Sequence, residues 1–356
     1  MSKVDVIIPC YNYARFLPRC VESVLSQKDV EVRVLIIDDC SNDNSEEVGL
    51  QLAEQDRRVE FRRHTTNCGH IATYNEGLLE WASSEYSLLL SADDALPPGA
   101  LARATCIMER YPEVGMIYGM ALIVYDEVSH FPIIDDISNE YRIIPCADFL
   151  KHCFTEGNAV DTPTAVVRTK LQHRLGGYRS DLPHSGDLEM WMRFAVHAPV
   201  AVLRSVQGYY RKHSCSMSRQ YYKQLIGDRQ EVIKACELIV TQWGELYPGS
   251  AIWREMMFQR IAIESCWLAS LAFDNGDKEG FHDCLKFAEQ VYPKIHGSSV
   301  WWCLSVKKNL GRTLWLKVRP IWIQLRGFFG SKTKQSDSNG FRSVCLSGWW
   351  PGSPEC

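Results

Sequence analysis

Two pairs of adjacent aspartates carry the chemistry this sequence could do. Asp93 and Asp94 follow the apolar run 86–90 and precede a Pro97-Pro98-Gly99 break, and Asp38 and Asp39 close the run 32–37. Neighbouring carboxylates at the end of a buried strand repel each other and are costly to desolvate unless a cation or hydrogen-bond donors compensate them. Asp93 and Asp94 offer hard oxygens suited to Mg²⁺ or Mn²⁺, and such a metal, held by few protein groups, completes its shell with substrate phosphates. Asp38 and Asp39 can accept hydrogen bonds from a base or ribose. Together the pairs imply a nucleoside diphosphate compound. A further acid, Asp187, heads the stretch 186–199, where Leu188, Trp191, Met192 and Ala195 fall on one helical face. Each acid also has a purely structural use. Asp38 and Asp39 could cap a helix starting near Ser45, Asp187 favours a helix dipole where it stands, and Glu189 reads as a solvated helix residue.

The elements that must position these residues are legible from alternation. Residues 4–9, 32–38, 86–92 and 114–119 are strand-like and apolar nearly throughout, as parallel strands covered on both faces should be. Residues 14–27, 45–55, 71–82 and 99–110 carry helical patterns between them, with Asn12 available to cap the first and Pro18 tolerable in its first turn. This alternation predicts an open, doubly wound, mostly parallel α/β sheet. Right-handed crossovers point the carboxyl ends of such strands at one edge, where ligands bind. The polar clusters 9–12, 38–45 and 91–94 all fall at strand ends.

Composition excludes several classes. A net charge of −4 gives no reason to expect nucleic-acid binding. Fourteen scattered cysteines without a CxxC pair argue against a zinc ribbon and for reduced thiols in the cytosol. No signal-peptide core follows Met1-Ser2-Lys3, and no run is apolar enough to span a membrane. Neither GxGxxG nor GxxxxGK[ST] occurs, so a Rossmann dinucleotide site and a P-loop are unsupported. The expected organisation is a catalytic domain over residues 1–220, a helical appendage over 221–293, a basic segment over 294–334 and a disordered tail over 335–356. The basic segment holds nine Lys or Arg and no acid, interleaved with Trp301, Trp302, Trp315 and Trp322. It reads either as an interfacial anchor for anionic lipid, at the inner face of the membrane, or as a docked helical face kinked at Pro320.

The ordered segments VDVIIPCYN, VLIIDDCSNDNS, NCGHIATYNEGL, YSLLLSADDALPPG, GGY and HSGDLEMW resemble a family 2 glycosyltransferase of the GT-A fold over about residues 3–220. The resemblance implies transfer of a sugar, with inversion, from a nucleotide-sugar donor to a glycan or lipid-linked acceptor in cell-surface polysaccharide synthesis. It assigns Asp39 to the nucleobase, Asp93 to the ribose and Asp94 to the divalent cation, with Asp93 as an alternative metal ligand. Asp187 becomes the catalytic base, and His213, in the following RKHSCSMS segment, approaches the metal. Pro9, Tyr11 and Asn12 would floor the donor pocket, with Gly69 and Asn75 at its side. Ser91 stands where many members carry a further acid, which is what a degenerate nucleotide-sugar-binding scaffold would show. A sugar nucleotidyltransferase shares the fold class but would want a glycine-rich loop after the first strand, and PCYNYARF has no glycine.

Overall fold

The computed structural model describes residues 1–125, 131–132, 138–213, 226–329, 346–349 and 351. Its strands are β1 (Lys3–Cys10), β2 (Glu31–Asp38), β3 (Val59–Arg63), β4 (Tyr86–Leu89), β5 (Met116–Tyr125), β6 (Tyr141–Ile144), β7 (Val166–Arg168), β8 (Val200–Lys212) and β9 (Leu346–Ser347). They form one sheet in the order β3-β2-β1-β4-β7-β5-β8-β6, with β9 on β5. β1, β2, β3 and β4 are mutually parallel, as are β5 and β8, whereas β7, β6 and β9 pair antiparallel.

Successive strand residues point to opposite faces, and both faces of this sheet are covered. Ile7, Leu35 and Ile37 belong to one core, while Val6, Ile8, Val34 and Ile36 belong to the other. This two-sided burial explains why these strands read as continuous apolar runs. Asp5 is fully buried within β1 and is held by a bidentate Arg33 at 2.8 and 2.7 Å and by the amides of Ser83 and Ser84.

The helices between strands are α1 (Leu17–Leu25), α2 (Ser45–Gln55), α3 (His70–Asn75, continued as a π-turn over Glu76–Trp81) and α4 (Ala100–Arg110). Pro18 does lie in the first turn of α1, but the N-cap is Phe16. Asn12 sits at φ 58° and accepts a hydrogen bond from the Asn42 amide instead, stitching two sheet-edge loops together. Next come α5 (Cys146–Thr155), α6 (Thr169–Leu175) and α7 (Gly186–His197). α8 (Gly227–Trp243), α9 (Ser250–Asn275), α10 (Lys278–Val291) and α11 (Ser299–Phe329) follow the sheet. Met257 and Ile261 of α9 join the core that holds α7, whereas Cys266 and Ala269 form a separate cluster with Phe281 and Leu304.

Two C-terminal expectations are corrected. α11 is interrupted at Gly311 (φ 71°), not at Pro320, because a glycine can take the left-handed backbone that breaks a helix. The tail is ordered where it is described. Leu346 and Ser347 add a strand to β5, and the Trp349 ring stacks on His152 at 3.9 Å. The rest of 335–356, apart from residues 348 and 351, lies outside the described residues.

Candidate active site at the carboxyl edge of the sheet

The loop leaving β4 doubles back so that Ala95 and Tyr209 exchange backbone hydrogen bonds at 3.3 and 2.8 Å. That bridge brings the long strand β8 alongside the two aspartates. The Arg211 amide then donates to Asp94 Oδ1 at 2.9 Å, and its Nε donates to the Asp93 carbonyl at 3.0 Å. His213 Nε2 lies 2.9 Å from Asp93 Oδ2, with the His213 ring against Tyr13 and Phe16. Asp93 Oδ1 is buried and has no hydrogen-bond partner. Burial, followed by the neighbouring charge of Asp93, holds the Asp94 carboxyl well above the usual carboxylate range.

Asp94 faces a cleft of about 190 Å³ whose walls include Pro9, Ser91, His70, Tyr74, Tyr178 and Asp187. Asp187 enters from the first turn of α7. Its Oδ2 accepts from Asn158 Nδ2 at 2.9 Å and its Oδ1 from the Leu188 amide at 2.7 Å. Burial pushes its pKa up to about 6, and nearby Asp161 adds to the rise while the Leu188 amide and His184 oppose it. Behind Asp187 the cleft continues into a second space of about 520 Å³, bounded by Asp228, Arg229, Arg260 and Glu264 from α8 and α9.

The other sequence-derived candidates occupy different positions. Asp39 Oδ1 accepts from the Cys68 amide at 2.7 Å and Oδ2 from the Gly69 amide at 2.9 Å, so this carboxylate fastens the loop before α3. Gly69 takes φ 83° there, a conformation that favours glycine. Tyr11 is exposed near the same edge. Asn75 ends α3. Its Oδ1 accepts from the Tyr178 amide at 2.7 Å and its Nδ2 donates to the Tyr178 carbonyl at 2.9 Å, so it clamps α3 to the Gly176-Gly177-Tyr178 turn.

Asp38 does not cap α2 and does not face the cleft. It is fully buried, accepting from Ser41 and lying 3.3 Å from Arg63 Nε, while Asp43 accepts from Ser45 at the helix start. Glu189 is not a solvated residue either. It is buried and forms a bidentate pair with Arg193 at 3.0 and 2.7 Å, whose guanidinium also bonds the carbonyls of Leu175 and Gly177.

Several cleft residues escaped the sequence reading. Asp161, raised in pKa by burial and bonded by Ser347, lies on a loop without a motif. His184 pairs with Asp228, and its amide and that of Ser185 donate to Glu231 at 2.8 and 3.0 Å. Although burial opposes its charged form, Asp228 holds the His184 pKa above the usual value. Arg211 carried no signal beyond its place in RKHSCSMS.

This arrangement, with acids at the carboxyl edge of a doubly wound sheet, agrees with what comparison with known proteins finds. Residues 5–160 match the model for "Glycosyl transferase family 2". Over that stretch, somewhat under half of its length, the chain resembles family 2 glycosyltransferases. An uncharacterized glycosyltransferase of Nostoc sp. is 36% identical over 121 residues, which are 34% of this chain and 37% of that protein. The chain covers 37%, 63% and 34% of the first three curated relatives it matches. Among solved structures, S. aureus TarS 1–349 in complex with UDP-GlcNAc superimposes with a TM-score of 0.59 at 16% identity, covering 99% of this chain and 98% of that one. A mannosyltransferase from Pyrobaculum calidifontis in complex with GDP-Man and Mn²⁺ gives 0.55 at 15%, covering 92% and 88%. The fold is therefore GT-A, the expected doubly wound sheet with helices following it.

A divalent cation suits part of this cleft. Asp93 Oδ1 is an orphaned buried oxygen, and Asp94 presents a hard carboxylate to the cleft. His213 is buried and lies within hydrogen-bond distance of Asp93. Among the described residues, the ligand atoms of Asp93, Asp94 and His213 do not gather within 4.8 Å of one another, so the three do not form a ready-made cage.

Proposed function

We propose that the chain is an inverting glycosyltransferase that moves a sugar from a nucleoside-diphosphate sugar to a hydroxyl of a glycan or lipid-linked saccharide. Building of a cell-surface polysaccharide is the setting proposed for that transfer. The observation that carries this reading is Asp187, a carboxyl whose pKa burial pushes up to about 6, in the same cleft as Asp94. A base with a pKa near neutrality removes a hydroxyl proton more effectively than one near 4. UDP-GlcNAc in one structural neighbour and GDP-Man with Mn²⁺ in another support the donor class and the metal.

In this reading Asp39 and the loop it fastens receive the base, with Pro9, Tyr11 and Asn12 beneath. Asp93 meets the ribose and Asp94 holds Mn²⁺ or Mg²⁺, supported by His213. The bound ion offsets charge on the departing diphosphate. Asp187 takes the acceptor proton as the hydroxyl attacks, and the second space behind it, toward α8 and α9, admits the acceptor. A peripheral contact with anionic membrane through α11 completes the proposal, supported by Trp302 at 65% exposure and Leu314 at 48% on a helix without acids.

The test is transfer from a panel of UDP-, GDP- and dTDP-sugars by wild-type and Asp187→Asn protein. Turnover should fall about 10²–10⁴-fold in the variant, the usual contribution of a positioned base, with donor affinity little changed. Donor binding with no turnover in the wild type would support the scaffold reading that Ser91 favours. Near-normal turnover in the variant would remove Asp187 as the base.

A further inference from the structure

His64, at the end of β3, has a carboxylate on each side. Its Nδ1 lies 2.7 Å from Asp39 Oδ1, and its Nε2 lies 2.8 Å from Glu76 Oε2. A neutral imidazole has one N–H, so it can satisfy only one of these contacts. Glu76 is itself steadied by Arg62 Nη1 at 3.3 Å. With the proton on Nε2, facing Glu76, Nδ1 and Asp39 Oδ1 are two electron-rich atoms facing each other. A second proton on Nδ1, or a metal cation bound by both atoms, relieves that contact.

A third ligand is within reach. Asp39, His64 and Cys68 are the one group of three among the described residues whose ligand atoms all lie within 4.8 Å of one another. Zinc binds sulfur at about 2.3 Å and imidazole nitrogen at about 2.0–2.1 Å, so ligands of one ion lie no more than about 4.4 Å apart. Cys68 is exposed, and its sulfur makes a 3.4 Å contact to the Thr66 carbonyl, so its side chain has room to turn toward the other two ligands. The Cys68 amide is already anchored on Asp39 at 2.7 Å. A histidine whose far nitrogen donates to a carboxylate is also the usual support of a metal-bound imidazole.

We propose that Asp39, His64 and Cys68 form a binding site for a borderline divalent cation such as Zn²⁺, separate from the hard-cation position at Asp94. A thiolate, an imidazole and one carboxylate select zinc-like ions over Mg²⁺ or Mn²⁺. Three protein ligands leave a fourth position open. Because the ion takes Asp39, it competes with the donor's base. That consequence alone rests on the donor reading above.

The experiment titrates metal-free, full-length protein with Co²⁺ and follows the thiolate-to-cobalt charge-transfer absorption. The expected result is one equivalent bound and displaced by Zn²⁺, with the band lost in Cys68→Ser and retained in Cys106→Ser. Glu76→Gln should weaken the affinity by about 10–100-fold, the usual cost of removing an outer-shell partner. No band in the wild type, or a band equally strong in Cys68→Ser, overturns the site and leaves His64 as an imidazolium between two carboxylates. Competition is read separately, as weaker UDP, GDP and dTDP binding in Zn²⁺ for the wild type but not for Cys68→Ser. Equal weakening in both overturns the competition. If none of the three nucleotides binds, the donor reading fails while the Co²⁺ spectrum still decides the site.

Discussion

With Asp187 as the proposed base, two pH dependences of opposite sense are expected. A base works only when ionised, so kcat/KM should rise as pH passes through about 6, and this acid limb should disappear in Asp187→Asn. A pH–rate profile over that range checks it, and an unchanged limb in the variant assigns the titration elsewhere. For stability the sign reverses. A carboxyl raised above its unfolded value favours folding while protonated, and that advantage is lost as pH climbs from the unfolded value through about 6. Asparagine carries no charge to desolvate and caps about as well, so Asp187→Asn should melt no lower than wild type at pH 7. The two acids at the end of β4 should also separate. Asp94→Asn should weaken the Mn²⁺ or Mg²⁺ dependence of nucleoside diphosphate binding more than Asp93→Asn, since Asp94 faces the cleft while Asp93 is engaged with His213. Calorimetry showing equal affinity in EDTA and Mn²⁺ would remove the cation from the proposal.

Among the elements, α7 has two tasks that compete for its sequence. Its first turn presents Asp187, and the next acid, Glu189, buries an ion pair with Arg193 one turn later. Arg193 in turn fixes the carbonyls of Leu175 and Gly177, beside the turn that Asn75 clamps to α3. The helix, the glycine turn and α3 thus lock into one wall of the cleft. Removing one member of a buried pair strands the other charge, which generally costs about 3–5 kcal/mol. Glu189→Gln should therefore lower the urea midpoint while leaving the pH limb assigned to Asp187 in place. An unchanged midpoint would mean that water reaches the Arg193 guanidinium. The solvated position read from sequence failed here because helical spacing shows which residues share a face, not whether the opposite face is also covered. Met190 and Phe194 are as buried as Leu188 and Trp191, so α7 is covered all round.

Across the whole molecule, the acid-free segment is built into the appendage rather than hung from it. Lys307 is buried 2.6 Å from Asp274 and also bonds Ser270, while Trp315 donates to Asp274 at 2.9 Å. Lys294 pairs with Glu255 at 2.7 Å. α9 therefore neutralises part of the charge that made the segment read as basic. Trp302, Leu314 and Leu316 remain exposed on its outer side. No helix among the described residues is long and apolar enough to cross a membrane. The proposed surface contact predicts co-sedimentation with anionic vesicles at low salt, weakening as the Debye length falls toward about 8 Å at physiological ionic strength. A Trp302→Ser/Leu314→Ser variant should lose it without loss of melting temperature. Deleting the segment is a poorer test, because Leu304 and Ile295 belong to the α9–α10 core. Full-length protein that stays in the supernatant at low salt rules the contact out.

The sequence alone determined the alternating strands and helices of the first 110 residues, β3 excepted, and the edge at which the polar clusters collect. Those features are local. An apolar run long enough for a doubly covered strand, ending in acids and turn residues, carries its own direction, and parallel crossovers then align the ends. Partners were decided only by the tertiary structure. Arg211 meets Asp94 across 117 positions, and Ser347 meets Asp161 across 186. Asn158 reaches Asp187 from a loop without periodicity. Such contacts follow from strand order, in which β7 lies between β4 and β5 and brings the loop before it to the cleft, and no local pattern encodes that order. The same holds for charge. An Asp is written identically whether solvent or a core surrounds it, and only its surroundings put Asp187 near 6 while setting Asp38 and Asp39 to fastening loops.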